Sequence, residues 1–81
     1  SRAGEILKTQ TIEIDRTGGI YLNSQPVSLE GLQTDLDRMN RNIPVLIRAD
    51  RSISLQNFVS VLDVIKTLEF TRISLQTEET K

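Results

Sequence analysis

The chain has 81 residues, 37% hydrophobic and 26% charged, with 10 basic and 11 acidic side chains. That is enough for one domain and not two, and too apolar for global disorder. It contains no cysteine and no histidine, which removes disulfides, thiol chemistry, Cys/His zinc sites and any His-based triad or proton shuttle, and leaves the redox compartment open. A net charge of −1 offers a phosphate backbone no basic footprint, so nucleic acid is not an expected partner. No apolar run reaches the roughly 18–20 residues of a bilayer span, and no secretory leader pattern is visible. A domain of this size buries only about 60–65% of its unfolded surface, so self-association is one route to further stability.

Residues 1–8 read as a loose linker, and Ser1-Arg2-Ala3-Gly4 as either native linker or scar. From Thr9 to Asp15 the pattern alternates, with Ile12 and Ile14 on one side and Thr11, Glu13 and Asp15 on the other. This predicts a strand with one buried face. Gly18-Gly19 supplies a tight reversal, and Ile20 and Leu22 alternate with Tyr21 in the return strand of a hairpin. Asn23-Ser24-Gln25-Pro26 reads as a second turn, followed by a short extended stub at Val27.

Ser28 is a credible N-cap with Glu30 in the first turn, and Leu29, Leu32, Leu36 and Met39 step along one helical face. Asn40, Asn42 and Pro44 end this helix. Val45-Leu46-Ile47 is apolar on both faces, as an interior strand should be. Ser54 or Ser52 caps a second helix running to about Leu68. Its main stripe is Leu55, Phe58, Val59, Leu62 and Ile65. Val61, Val64 and Leu68 form a second, so the apolar arc is wider than one sheet contact needs. Arg72 to Gln76 alternates as a half-buried strand, and the polar end from Thr77 frays. The predicted fold class is α+β, a two-layer sandwich of a mixed β-sheet with two helices on one face, in the order β-β-α-β-α-β, with Val27 a candidate further strand. The folded domain spans residues 9–77, and 78–81 form a tail.

Three segments in this order resemble the periplasmic domain of the ExbD/TolR family. They are Ile20-Tyr21-Leu22-Asn23 with Gln25-Pro26-Val27, the strand Val45-Leu46-Ile47-Arg48-Ala49-Asp50, and the helix Phe58 to Leu68 leading into Ile73-Ser74-Leu75. The resemblance implies a single-pass inner-membrane protein of bacteria that couples the proton gradient to outer-membrane work. Its functional aspartate lies on a transmembrane helix outside this chain. It implies a homodimer, a channel partner of the ExbB/TolQ type met through that membrane segment, and either a TonB-like protein or peptidoglycan as periplasmic partner. The strand motif does not separate ExbD from TolR; the acidic end, Gln76 to Glu79, leans towards ExbD.

Arg48, Asp50 and Arg51 form the densest charged cluster beside an apolar strand. Arg48 and Asp50 are candidates for partner recognition, and the competing reading makes Asp50 a turn acceptor. Tyr21 either anchors a partner or covers a neighbouring strand. The last strand, with Ile73 and Leu75 inward and Ser74 and Gln76 outward, is the favoured edge for strand addition by a partner; the N-terminal strand is the alternative. Val61, Val64 and Leu68 are candidates for a dimer face, against a reading as core. Asp15, Asp35, Asp37 and Asp63 fall on different elements without a companion nucleophile, so paired-carboxylate catalysis is not expected. Gly18-Gly19 lacks the phosphate-loop pattern. No enzyme activity, cofactor or metal is expected.

Overall fold

The computed structural model describes residues 7–79; the expected linker up to residue 6 and the last two residues of the expected tail lie outside them. The elements are β1 (Gln10–Ile14), β2 (Ile20–Leu22), β3 (Gln25–Val27), α1 (Leu29–Asp37), β4 (Val45–Asp50), α2 (Leu55–Thr67) and β5 (Ile73–Glu78). One mixed sheet has the order β3-β2-β1-β4-β5. β1–β2 and β2–β3 are antiparallel, whereas β1–β4 and β4–β5 are parallel.

The stub at Val27 is a full third strand. Asn23 and Ser24 both adopt positive φ, 51° and 73°. They form the primed two-residue turn that matches strand twist, and Asn is at home there. The second turn is thus two residues long, and Gln25 and Pro26 belong to β3 and not to the turn. β5 runs on to Glu78, beyond the expected fraying point, because Thr77 and Glu78 keep register with Ala49 and Asp50.

Both crossovers, β1 to β4 through α1 and β4 to β5 through α2, step the same way across the sheet. Right-handed connections therefore place both helices on the same face. The core confirms this. Ile12, Ile14, Leu22, Val45, Ile47 and Ala49 from the sheet meet Leu32 and Leu36 of α1 and Val61 and Ile65 of α2 in one cluster. Ser28 and Ser54 cap the helices, accepting from the amides of Gly31 and Asn57.

The face of α2 departs from expectation. Its buried centre is Val61 and Ile65, between the two predicted stripes, with Phe58, Leu62, Val64 and Leu68 packed around it. Of the stripe expected as a dimer face, Val61 is core at 1% exposure, and Val64 and Leu68 are partly buried and packed against that core. Leu55 and Val59, from the predicted main stripe, are 76% and 40% exposed. Leu55 lines a groove with Leu75 and Thr77 of β5, beyond which no further described strand pairs.

Two features near the helix ends were not legible beforehand. α2 closes in a Schellman motif: the Phe70 amide donates to the Ile65 carbonyl and the Glu69 amide to Lys66, with Glu69 itself at φ +69°. This turn buries Phe70 against Ile65. Arg41 then ties the two helices together. Its Nε donates to the Leu68 carbonyl at 2.6 Å, and Nη1 to the carbonyls of Leu36, Asp37 and Met39. Nη2 meets the Asp37 carboxylate at 2.7 Å, and the guanidinium lies 5.2 Å from the centre of the Phe70 ring. α1 has no basic residue in its last turn; Arg41 supplies that charge from just beyond the helix.

Leu36→Ala and Ile47→Ala are expected to cost about 2–5 kcal/mol each, as large-to-small core changes do, and Leu55→Ala less than about 0.5. Guanidinium unfolding of the three variants checks the placement of both helix faces. Arg41→Ala should lose about 1–3 kcal/mol, and Arg41→Lys should recover little of it, because an ammonium cannot serve several carbonyls and a ring at once. Parent-like midpoints for Arg41→Ala would show that the clip contributes nothing.

Candidate partner-binding edge and open sheet face

A five-stranded sheet with helices on one face leaves two edges and one bare face. β1, the alternative edge expected from the sequence, is central, flanked by β2 and β4. The edges are β3 and β5, and they differ. Leu22 and Gln25 close the primed turn as a hydrogen-bonded pair, so Tyr21 and Pro26 form the next, non-bonded pair. The Pro26 nitrogen then faces the free edge, where an N–H would otherwise be presented. Three residues and a proline make β3 a blocked edge.

β5 has no such defence. The Arg72 carbonyl accepts from Val45 and the Glu78 carbonyl from Arg51. Within a strand, the N–H and C=O of one residue point the same way and alternate along the chain. Ser74, Gln76 and Glu78 therefore serve the ladder to β4, and the backbone of Ile73, Leu75 and Thr77 points outward. On the helix side, Leu75 (54% exposed) shares a groove of about 270 Å³ with Ile53, Leu55, Phe58 and Thr77. The favoured edge, with Ile73 and Leu75 on the helix side and Ser74 and Gln76 on the open side, is thus an edge with that orientation.

The open face collects the other candidates. Tyr21, Arg48 and Asp50 line a cleft of about 240 Å³ together with Glu13, Asp15 and Glu78. The register explains the meeting: Glu13 lies opposite Tyr21 on β2 and Arg48 on β4, and Asp50 opposite Glu78 on β5. Arg48 donates to the Glu78 carboxylate and lies 3.9 Å from that of Glu13. Its Nε is buried and makes no hydrogen bond. Asp50, 6% exposed, accepts from the Ser52 amide and hydroxyl at 2.9 and 2.6 Å. It orders the turn before α2, as its turn-acceptor reading anticipated. Arg51 meets Glu79 at 3.4 Å on the surface. Among the described residues no group of carboxylates is arranged to hold a metal.

Asp15 organises the end of this cleft. Its Oδ1 accepts from the amides of Thr17 and Gly19 and from the Thr17 hydroxyl, and its Oδ2 from the Tyr21 phenol at 3.2 Å. A side chain at position 19 would meet Asp15 Oδ2 at 2.7 Å, and Gly18 has φ +91°. The glycines therefore build a carboxylate-centred hairpin, not a phosphate cradle. The Asp-x-Thr-x-Gly spacing was the available signal, since Asp routinely caps such turns.

The Thr17 hydroxyl first, then the Gly19 amide, hold the Asp15 carboxyl below its ordinary value of 3.8. The hydrogen bond that the Tyr21 hydroxyl donates to Asp15, with the Asp15 charge, raises the Tyr21 phenol above 10.0. A depressed carboxylate stabilises the fold in full above its unfolded pKa, and that contribution is lost as pH falls through the folded value. Asp15→Asn should therefore melt below the parent at neutral pH, with the gap closing as the pH drops below 3.8. Thermal melts of both proteins from neutral to strongly acid pH check this; a gap independent of pH would remove the charge from the account.

The "Biopolymer transport protein ExbD/TolR" family pattern matches residues 5–80. The chain is similar to the "Biopolymer transport protein ExbD" of Aquifex aeolicus, at 37% identity over 78 residues, covering 93% of this chain and 59% of that protein. It is also similar to a "Putative biopolymer transport protein ExbD-like 2" of Helicobacter pylori, at 26% over 74 residues, covering 91% and 56%. A "Biopolymer transport protein ExbD" of the same species is 22% identical over 71 residues, covering 88% and 55%. The chain therefore spans less than two thirds of the length of these relatives, and among its described residues no helix is long and apolar enough to cross a membrane. With a family pattern running almost end to end over this β-β-β-α-β-α-β sheet, the chain belongs to the ExbD/TolR family, whose members are transport proteins and not enzymes.

Proposed function

We propose that this chain is the periplasmic domain of an ExbD-like subunit of a TonB-type energy-transducing complex driven by the proton-motive force. In this reading it grips an extended segment of a TonB-like partner by strand addition at β5 and so supports import across the outer membrane. An ExbB/TolQ-like channel subunit meets the membrane segment that the family carries. The single observation behind the reading is the asymmetry of the sheet: β3 is blocked by Pro26, and β5 offers an unblocked row of outward amides and carbonyls. Main-chain pairing suits a partner that is extended and poorly ordered, because affinity then needs little from its side chains. The name shared with the Aquifex aeolicus relative favours ExbD over TolR.

The runner-up is a TolR-like anchor that binds peptidoglycan. What favours it is the polar open-face cleft with Tyr21, Arg48 and Asp50, groups suited to a hydroxyl- and amide-rich polymer. It uses a different surface from β5, so one variant separates the two.

That variant is Leu75→Pro. The Leu75 N–H points away from β4, so proline there removes a donor from the edge and none from the ladder. Titrated with peptides from the periplasmic linker of the TonB-like protein of the same organism, the Leu75→Pro chain should bind at least about tenfold more weakly than the parent. Leu75→Ala, which keeps the N–H, should lose much less. Equal binding by parent and Leu75→Pro would exclude strand addition at this edge. Sedimentation with purified peptidoglycan sacculi that survives Leu75→Pro and fails on Arg48→Ala would favour the anchor.

A further inference from the structure

The two flanks of the β5 edge differ in chemistry, apolar on the helix side and acidic on the open face. A strand laid against β5 alternates between these flanks in step with it, because directly opposed residues share a face. We infer that the segment taken by this edge carries an apolar–basic–apolar triplet, its two apolar side chains opposite Leu75 and Thr77 and its lysine or arginine opposite Gln76. The inference rests on the strand-capture reading and adds the side-chain chemistry of the captured segment.

The apolar positions follow from the groove beside α2. Its walls include Ile53, Leu55 and Phe58, and its strand residues are Leu75 and Thr77 of β5. Those two strand residues also carry outward backbone, as the Val45–Arg72 and Arg51–Glu78 ladder bonds require. A side chain delivered by a paired strand therefore enters the groove without leaving register. Leu55 and Leu75 are 76% and 54% exposed, so such a side chain would cover apolar surface that the fold itself leaves in water. At about 270 Å³ the groove falls below the range of about 300–1,000 Å³ usual for small-molecule pockets. Its size suits side chains.

The basic position follows from the open face. The cleft there holds four carboxylates, of Glu13, Asp15, Asp50 and Glu78, against the one guanidinium of Arg48, a net charge of −3. Of the four, Glu78 stands on β5 itself, the strand that a captured segment would touch. Along the open side of β5 the order is Arg72, Ser74, Gln76, Glu78. A base opposite Ser74 would sit diagonally from Arg72, and an acid opposite Gln76 diagonally from Glu78. A base opposite Gln76 is diagonal to Glu78, about 7–8 Å away and within reach of a long side chain. Charge thus selects both the sign of the middle residue and its place. The triplet reads the same in either strand direction.

The probes are short fluorescein-labelled threonine peptides, identical except for a central triplet of leucine–lysine–leucine, leucine–glutamate–leucine or serine–lysine–serine. In fluorescence-polarisation titrations with the 81-residue chain, the first should bind about fivefold more tightly than the second, because attraction to Glu78 becomes repulsion. It should bind about tenfold more tightly than the third, which has nothing to bury in the groove. Glu78→Lys should invert the lysine–glutamate preference. Leu55→Ala should shrink the leucine–serine preference and leave the other in place. Raised salt should narrow the lysine–glutamate gap in the parent, a readout that stands if Glu78→Lys disturbs the fold. Leu75→Pro should weaken all three peptides, which ties the preferences to this edge. Three peptides bound alike and all lost on Leu75→Pro would overturn the inference and leave strand capture standing. Binding indifferent to Leu75→Pro would overturn both. Failure of every probe to bind at millimolar concentration would overturn the triplet.

Discussion

A parallel neighbour can be reached only by a crossover, and this chain makes two in succession, from β1 to β4 and from β4 to β5. The hand of each is set by strand twist. Because both step the same way, they stack α1 and α2 on one face and leave β5 last in line. The Ile12–Ile47–Leu75 row shows the consequence. Ile12 and Ile47 are sealed beneath the helices, at 0% and 1% exposure, whereas Leu75, in the same row and on the same face, is 54% exposed. It lacks only a strand on its far side. A single topological choice thus yields the core, the bare face and the open edge.

The bare face has no apolar layer, and its strands are held by charge across the register. Arg48 bridges β1 and β5 through Glu13 and Glu78, and Tyr21 on β2 reaches Asp15 at the end of β1. Half-exposed ion pairs of this kind contribute little each. Their effect is on arrangement: four carboxylates share one cleft with a single arginine. The cleft is therefore anionic although the chain as a whole is almost neutral.

Alternation and helical period made most of the fold legible. Ile12 and Ile14, Ile20 and Leu22, and the Leu32/Leu36 pair all lie where their spacing put them, and Ser28 and Ser54 cap as expected. What was hidden depends on partners distant in sequence. That β1 is central and not an edge follows from which strands it pairs with, which no local pattern records. The centre of α2 could not be chosen from its own stripes, because Val61 is buried and Val59 exposed according to where the sheet ends. Arg41 reads locally as a polar residue after a helix; its role requires the Leu68 carbonyl and Phe70, 27 and 29 positions further along. At the candidate site, residue types were legible and their meeting was not. Tyr21, Arg48 and Asp50 come from three regions that only the register brings to one cleft. Glu13 and Glu78, which complete it, looked like ordinary exposed charge.

An undefended edge strand on a small domain is a liability, since it invites pairing with any extended chain. The chain has the means of defence and uses it at β3, where a proline faces outward and the strand stops after three residues. At β5 it uses none. The strand is six residues long, has no proline or glycine, and keeps both faces free of bulges. α2 adds to the exposure, because Leu55 shares a groove with Leu75 and Thr77 at this edge. Backbone complementarity and apolar surface are separate properties, encoded on separate elements, and here they fall on the same border of the molecule. Leu55 and Leu75, 76% and 54% exposed, both lie outside the buried core. Their joint presence is surface at the β5 border that the buried core does not require.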